Sequence, residues 1–126
     1  MLEACAEGDF SLLKELLLIN SDINIKNSLG WTALSVAVYN HRYEIVCFLL
    51  DNGADINNVN INGTTILMYA KTKVFENRNF EFIEYLLDKG APLNIRDTKS
   101  NFTVLDYIKE TGDSEMIDFF KQKGAI

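Results

Sequence analysis

Apolar residues in this chain fall in short blocks at helical spacing, and the blocks recur. Leu12, Leu13, Leu16 and Leu17 form one stripe at spacings of one, three and four residues. Ile45, Val46, Leu49 and Leu50 form a second, Phe82, Ile83, Leu86 and Leu87 a third, and Met116, Ile117, Phe119 and Phe120 a fourth. A shorter apolar helix precedes each stripe after a polar turn, as with Leu34 and Ala37 ahead of Ile45. Loops containing glycine close the second, third and fourth blocks. The clearest block runs from Asn27 to Val59, where two helices are predicted on either side of a turn near His41.

The repeat can be counted. Leu16-Leu17 returns 33 residues on as Leu49-Leu50 and 37 further as Leu86-Leu87. Thr32 returns at Thr65 after 33 residues and at Thr103 after 38. Asp22-Ile23-Asn24 returns as Asp55-Ile56-Asn57, and Gly53-Ala54 as Gly90-Ala91 and Gly124-Ala125. A period in this range marks a stacked-repeat architecture, in which each unit buries its apolar face against the next. In these residues the chain resembles the ankyrin-repeat family, whose units read Gly-x-Thr-Pro-Leu-His-x-Ala, a turn, Ile-Val-x-x-Leu-Leu, then Gly-Ala-Asp-x-Asn. The resemblance spans one domain in four units, about 1–26, 27–59, 60–96 and 97–126. It implies an all-α solenoid of stacked antiparallel helix pairs with projecting β-hairpin-like loops.

Departures from the family pattern matter locally. Met1 falls one turn into the first helix of a full unit, which fits both a native start and a trimmed longer protein. Asn20-Ser21 stands where the family has Gly-Ala. Thr32 is expected to cap a helix, its hydroxyl accepting from an unpaired backbone N–H. The family's Pro and His after this threonine are Ala33 and Ser35 here, Ile66 and Met68 in the third unit, Val104 and Asp106 in the fourth. Helix starts without Pro are less pre-organised, so a less stable array is expected. Thr103-x-x-Asp106 reads as a weaker form of the capping box. In the third unit the second-helix stripe arrives four residues late, placing an insertion within Lys71–Asn79. It reads either as a functional loop or as a lengthened helix packed through Val74 and Phe75. Lys121 replaces the apolar residue found at that place in the other units, as a closing unit requires.

Composition narrows the function. Of 126 residues 48% are hydrophobic and 24% charged, ordinary for a folded domain. The net charge of −6 is spread as −3, −2, +1 and −2 over the four units. No basic stripe points to nucleic acid or an anionic membrane, and the acidity favours solubility and a partner with a basic patch. Cys5 and Cys47 are too few for a disulfide framework and read as small apolar side chains. No apolar run approaches a membrane span and no secretory signal is evident, so a cytoplasmic location is expected, with delivery into a host cell left open. Asn62-Gly63-Thr64 and Asn101-Phe102-Thr103 match the glycosylation sequon but read as turn chemistry. His41, the sole histidine, is expected as a solvent-exposed turn residue. No metal-ligand spacing, phosphate loop or catalytic constellation appears, so no enzyme, metal or cofactor is expected.

What remains is binding. The resemblance implies a protein-interaction module that engages its partner through a concave face of hairpin tips and first helices; it is expected to be a non-enzymatic monomer. Mapped onto this chain, that face includes Leu29, Trp31, Tyr39, Asn40, Ile61, Asn62, Lys73, Arg96 and Phe102. It also takes in Lys26, Ser28, Val59, Thr64, Thr72, Ser100 and Glu110. Trp31, Tyr39 and Phe102 stand out because aromatic residues dominate binding hot spots, although each could instead pack on its own scaffold. A stoichiometric inhibitor of an enzyme and the targeting part of an infection effector are the alternatives.

Overall fold

The structure, a computed structural model, describes residues 1–19 and 22–126. The Asn20-Ser21 substitution therefore lies outside the described residues. Among those described there are eight helices and no strand. They are α1 Leu2–Glu7, α2 Phe10–Ile19, α3 Ala33–Tyr39, α4 Tyr43–Asp51, α5 Ile66–Asn77, α6 Phe80–Asp88, α7 Val104–Thr111 and α8 Ser114–Gln122. The fold is all-α, as the resemblance implies. The odd-numbered helices form one row, α1 on α3, α3 on α5 and α5 on α7, and each packs on the even-numbered helix that follows it.

The two rows pack differently. Ala33, Ala37 and Ala70 are fully buried, so the inner helices approach closely. The outer helices meet largely through rings: Phe10 on Phe48 at 5.1 Å, Tyr43 on Phe82 at 4.9 Å and Phe80 on Phe119 at 4.9 Å. Small residues thus fill the inner row and aromatic rings the outer one. Leu13, Leu49, Leu86 and Phe120, one from each outer helix, complete the core.

Each described inner helix from the second pair on begins at a buried threonine. Thr32 Oγ1 accepts from the Ser35 N–H at 3.3 Å while Ser35 Oγ accepts from the Thr32 N–H at 2.8 Å. Ser35, a departure from the family pattern, thus closes a reciprocal capping box. Asp106 does the same for Thr103, at 3.0 and 3.2 Å, with a carboxylate as the stronger acceptor. In the pair between them only the Met68 thioether, 3.5 Å from the Thr65 nitrogen, is available.

The insertion is helix. α5 has 12 residues where α3 has 7 and α7 has 8. Four extra residues make about one turn, which returns the chain to the same face. Val74 is accordingly fully buried and Phe75 half-buried against the core. The loop reading of Lys71–Asn79 is not what the chain adopts.

The inter-helix turns place Gly8, His41, Arg78 and Gly112 in the left-handed region, with φ of 77, 53, 57 and 73°. His41 is at a turn as predicted, but it is half-buried rather than exposed. Its Nε2 lies 3.2 Å from the Ala70 carbonyl of the next helix pair, and its Nδ1 lies 2.9 Å from the Tyr43 hydroxyl and 3.1 Å from Asn77 Nδ2. A neutral ring protonated on Nε2 satisfies all three. Arg42 next to it donates to the Ala6 carbonyl at 2.8 and 3.1 Å, and Arg78 pairs with Asp113 at 2.6 Å. These turns lock neighbouring pairs together.

A second lock runs along the loops after the outer helices. Asn24 Oδ1 accepts from the Asp55 N–H at 2.8 Å and its amide donates to the Gly53 carbonyl. Asn94 repeats this with Ile126 and Gly124. The residue in register with Asp55 is Pro92, which has no N–H for Asn57 to accept from.

Two outcomes follow. Asn24→Ala is expected to cost about 1 kcal/mol in urea unfolding and Asn57→Ala under about 0.5 kcal/mol; equal losses would contradict the lock. Burial lowers the His41 pKa, with the Ala70 bond opposing and Lys73 reinforcing the shift. The folded state therefore binds fewer protons than the unfolded one, and stability present above about pH 6.5 is lost as pH falls from there toward the folded-state pKa. The urea midpoint of the wild type is expected to fall between about pH 7.5 and 5.5, and that of His41→Asn, a residue suited to positive φ, to stay nearly flat. An unchanged fall in the variant would show that other groups carry it.

Candidate protein-binding face

The face grows from three hairpin-like loops. In each, an Asn or Asp side chain nucleates the turn by accepting backbone N–H groups. Asn27 Oδ1 takes those of Leu29 and Trp31 at 3.0 and 2.9 Å, Asn60 Oδ1 those of Asn62 and Thr64 at 2.8 and 3.0 Å, and Asp97 Oδ1 those of Ser100 and Phe102 at 3.1 and 3.0 Å. The last loop is one residue longer, with Asn101 at φ 58°, which accounts for the fifth residue in the spacing from Thr65 to Thr103.

The tips bond to one another. The Ile61 N–H donates to the Leu29 carbonyl at 3.1 Å, and the Thr98 N–H to the Asn62 carbonyl at 2.9 Å. This edge contact needs glycine. A Cβ on Gly30, φ +83°, would lie 2.9 Å from Asn60 Cα, and one on Gly63, φ +74°, 2.8 Å from the Thr98 nitrogen.

At the roots of the tips an aromatic cluster forms. Trp31 lies 4.5 Å from the Tyr69 ring and 5.8 Å from Tyr39, with Tyr39 and Tyr69 at 6.4 Å. Tyr69 is 5% exposed, its hydroxyl accepting from Asn60 Nδ2 at 2.8 Å, and burial pushes its pKa up to about 12. Tyr39 is partly open, while Leu29 and Ile61 at the tips are 53% and 64% exposed. The structure therefore brings Leu29, Trp31, Tyr39 and Ile61 into one region, with Trp31 half-buried and packed as well as displayed.

The other expected residues are placed differently. Phe102 stacks edge-on over Tyr107 at 5.2 Å. Asn62 lines a groove of about 230 Å³ between α5 and α7, with Thr64, Lys71, Thr72, Lys99 and Tyr107 among its other residues. Arg96 is engaged by the Asn101 carbonyl at 2.8 Å and Asp106 at 3.3 Å, and Asn40 Nδ2 donates to the Val36 carbonyl of its own helix. Lys73 lies on the added turn of α5, where its charge acts on His41 at the opposite end of the inner helices from the tips.

Within the groove, burial pushes the Asp97 carboxyl up, but hydrogen bonds from Tyr107 and from backbone N–H groups outweigh it and hold it below the usual range. Burial also raises the Tyr107 pKa and lowers that of Lys71. Tyr69, Tyr107, Lys71 and Lys99 were not among the expected residues. Tyr69 and Tyr107 occupy the register position of Val36, four after the capping threonine, so the repeat alignment holds the signal. A larger cleft of about 440 Å³ lies on the outer side, between Leu17, Leu18, Ile23 and Phe48.

Stacked helix pairs joined by hairpins define a helical-repeat solenoid. A family profile for ankyrin repeats, in three copies, matches residues 1–97, and the chain belongs to the ankyrin-repeat family. It is 37% identical over 62 residues to a potassium channel of Arabidopsis thaliana, covering 49% of this chain and 7% of the channel. It is 42% identical over 57 residues to the human mitochondrial disaggregase, 45% of this chain and 8% of that protein. With ankyrin repeat domain-containing protein 29 of Danio rerio it shares 46% over 57 residues, 43% of this chain and 18% of that protein. The matched segment is thus under a fifth of each relative. Ankyrin repeats are generally protein–protein interaction modules. No described helix is long and apolar enough to cross a membrane.

The tip contact gives a direct prediction. Gly53 also has positive φ, +93°, but a Cβ there meets nothing within 4 Å. Gly53→Ala carries only the left-handed penalty of roughly 1–2 kcal/mol. Gly30→Ala carries that and a backbone collision, so it is expected to lower the unfolding free energy by at least about 1 kcal/mol more. Equal losses would mean that the tips do not stack.

Proposed function

We propose that this chain is a non-enzymatic, monomeric interaction module, a single ankyrin domain of four units at about 1–26, 27–59, 60–96 and 97–126. It binds another protein through the hairpin tips and the inner helices. The observation that carries this reading is the continuity of exposed Leu29 and Ile61 with the Trp31–Tyr39–Tyr69 cluster. Scattered exposed apolar residues are ordinary, but a contiguous apolar patch beside polar groups is the usual form of a binding surface. Backbone hydrogen bonds fix the tips, so little conformational freedom is lost on binding. Nucleic acid is disfavoured as the ligand by the net charge of −6. Within this face Leu29, Trp31, Tyr39 and Ile61 supply apolar contact, Asn62 lines the neighbouring groove, Phe102 packs on its Tyr107, and Asn40 and Arg96 form the margins, with Lys73 at the far end of the inner helices.

Capture from the lysate of the source cell tests the proposal. Trp31→Ala with Tyr39→Ala removes the cluster, and Leu29→Ser with Ile61→Ser removes only exposed side chains, which protects the test against misfolding. A protein held by the wild type is expected to bind each folded variant at least about tenfold more weakly, the scale of hot-spot truncation. Equal capture by the wild type and both variants would overturn this face as the binding site.

A further inference from the structure

The groove between α5 and α7 carries a charge that the chain as a whole does not. Asp97 is the one carboxylate among its described lining residues, and it is fully engaged. Its Oδ1 accepts from the Ser100 and Phe102 N–H groups and its Oδ2 from the Tyr107 hydroxyl, and the residue is 4% exposed. The two ammonium groups of the groove are in the opposite situation. Lys71 Nζ sits over the Tyr107 ring at 5.1 Å, and no described carboxylate lies within 4.0 Å of it or of Lys99 Nζ. Arg78, Arg96 and Lys123 have all found carboxylates.

Lys71 is also half-buried, and burial lowers its pKa. A cation held partly away from water without a counter-ion is a costly arrangement that an incoming carboxylate relieves. The groove is continuous with the aromatic cluster, because Tyr69 lines the one and stacks in the other. Glu110 lies close enough to act on Tyr107 and disfavours a second acid beyond the first.

We propose that the inner face takes an extended segment of a partner protein, seating one Asp or Glu side chain between Lys71 and Lys99 and an aromatic or aliphatic side chain on Trp31 and Tyr39. The proposal rests on the reading of this face as a protein-binding surface and adds the chemistry of its ligand. Net charge alone points to a basic partner; the local charge of the groove points to an acidic residue. The pairing is of the charge-assisted kind, worth more in a part-desolvated groove than at an open surface.

The test is selection of a random peptide library displayed on phage against the whole chain, followed by fluorescence anisotropy of the enriched peptides. Enriched sequences are expected to hold an Asp or Glu at a fixed short distance from an aromatic or aliphatic residue. Lys71→Gln is expected to weaken their binding about tenfold and Lys99→Gln by a smaller factor, while Lys89→Gln, just past the end of the outer helix α6, leaves it within about twofold. Peptides that lose binding with Trp31→Ala and Tyr39→Ala yet show no acidic preference, or survive Lys71→Gln, overturn the acid subsite and leave the binding face standing. Peptides indifferent to both sets of variants overturn the two together. An empty selection overturns the linear acidic segment and leaves the face to its own capture experiment. A short oligothymidylate that binds through Lys71 more tightly than any selected peptide also overturns it.

Discussion

The structure depends on three buried threonines. Thr32, Thr65 and Thr103 each sit in extended backbone, and each hydroxyl accepts the N–H three residues on. One residue thus ends a hairpin and starts a helix, and because the side chain is buried the junction does not swivel. Stacking the helices then stacks the hairpins, and the backbone bonds between tips follow. The position of the hairpin tips is therefore set by core packing as well as by the turns that Asn27, Asn60 and Asp97 close.

The cap chemistry differs from junction to junction. Ser35 and Asp106 return a proper hydrogen bond to their threonines, whereas Met68 offers a thioether. The middle junction, with the poorest box, begins the longest inner helix, which His41 holds at two points, the Ala70 carbonyl and the Asn77 side chain at its last residue. The missing Pro leaves these starts less pre-organised, and the residue three after each threonine decides how well the cap closes. Ser35 and Asp106 stand where the family has histidine, and each accepts the N–H of its threonine.

Much of the fold was legible because periodicity reports burial. Leu16-Leu17, Leu49-Leu50 and Leu86-Leu87 mark the outer helices, and the threonines mark the inner starts. The four-residue delay after Ala70 revealed the insertion but not its form, since only the match of four residues to one helical turn makes a longer helix cheap. The site was less legible. Trp31, Tyr39, Leu29 and Ile61 could be placed by register, but contacts between units could not. His41 meets Ala70 across 29 positions, and Lys71 meets Tyr107 across the next boundary. Such pairs follow from the stacking distance, which no single repeat encodes. Pro92 shows the converse, an interruption of one inter-unit lock whose meaning appears only beside Asn24 and Asn94.

A rigid inner face is the claim on which the rest stands, and amide hydrogen exchange by NMR tests it most directly. The account predicts that the Ile61 and Thr98 N–H groups, which bond across neighbouring tips, exchange as slowly as amides in α5. Exchange of both at the rate of an unstructured loop would contradict it, because the tips would then move independently and the face would have no fixed shape to present.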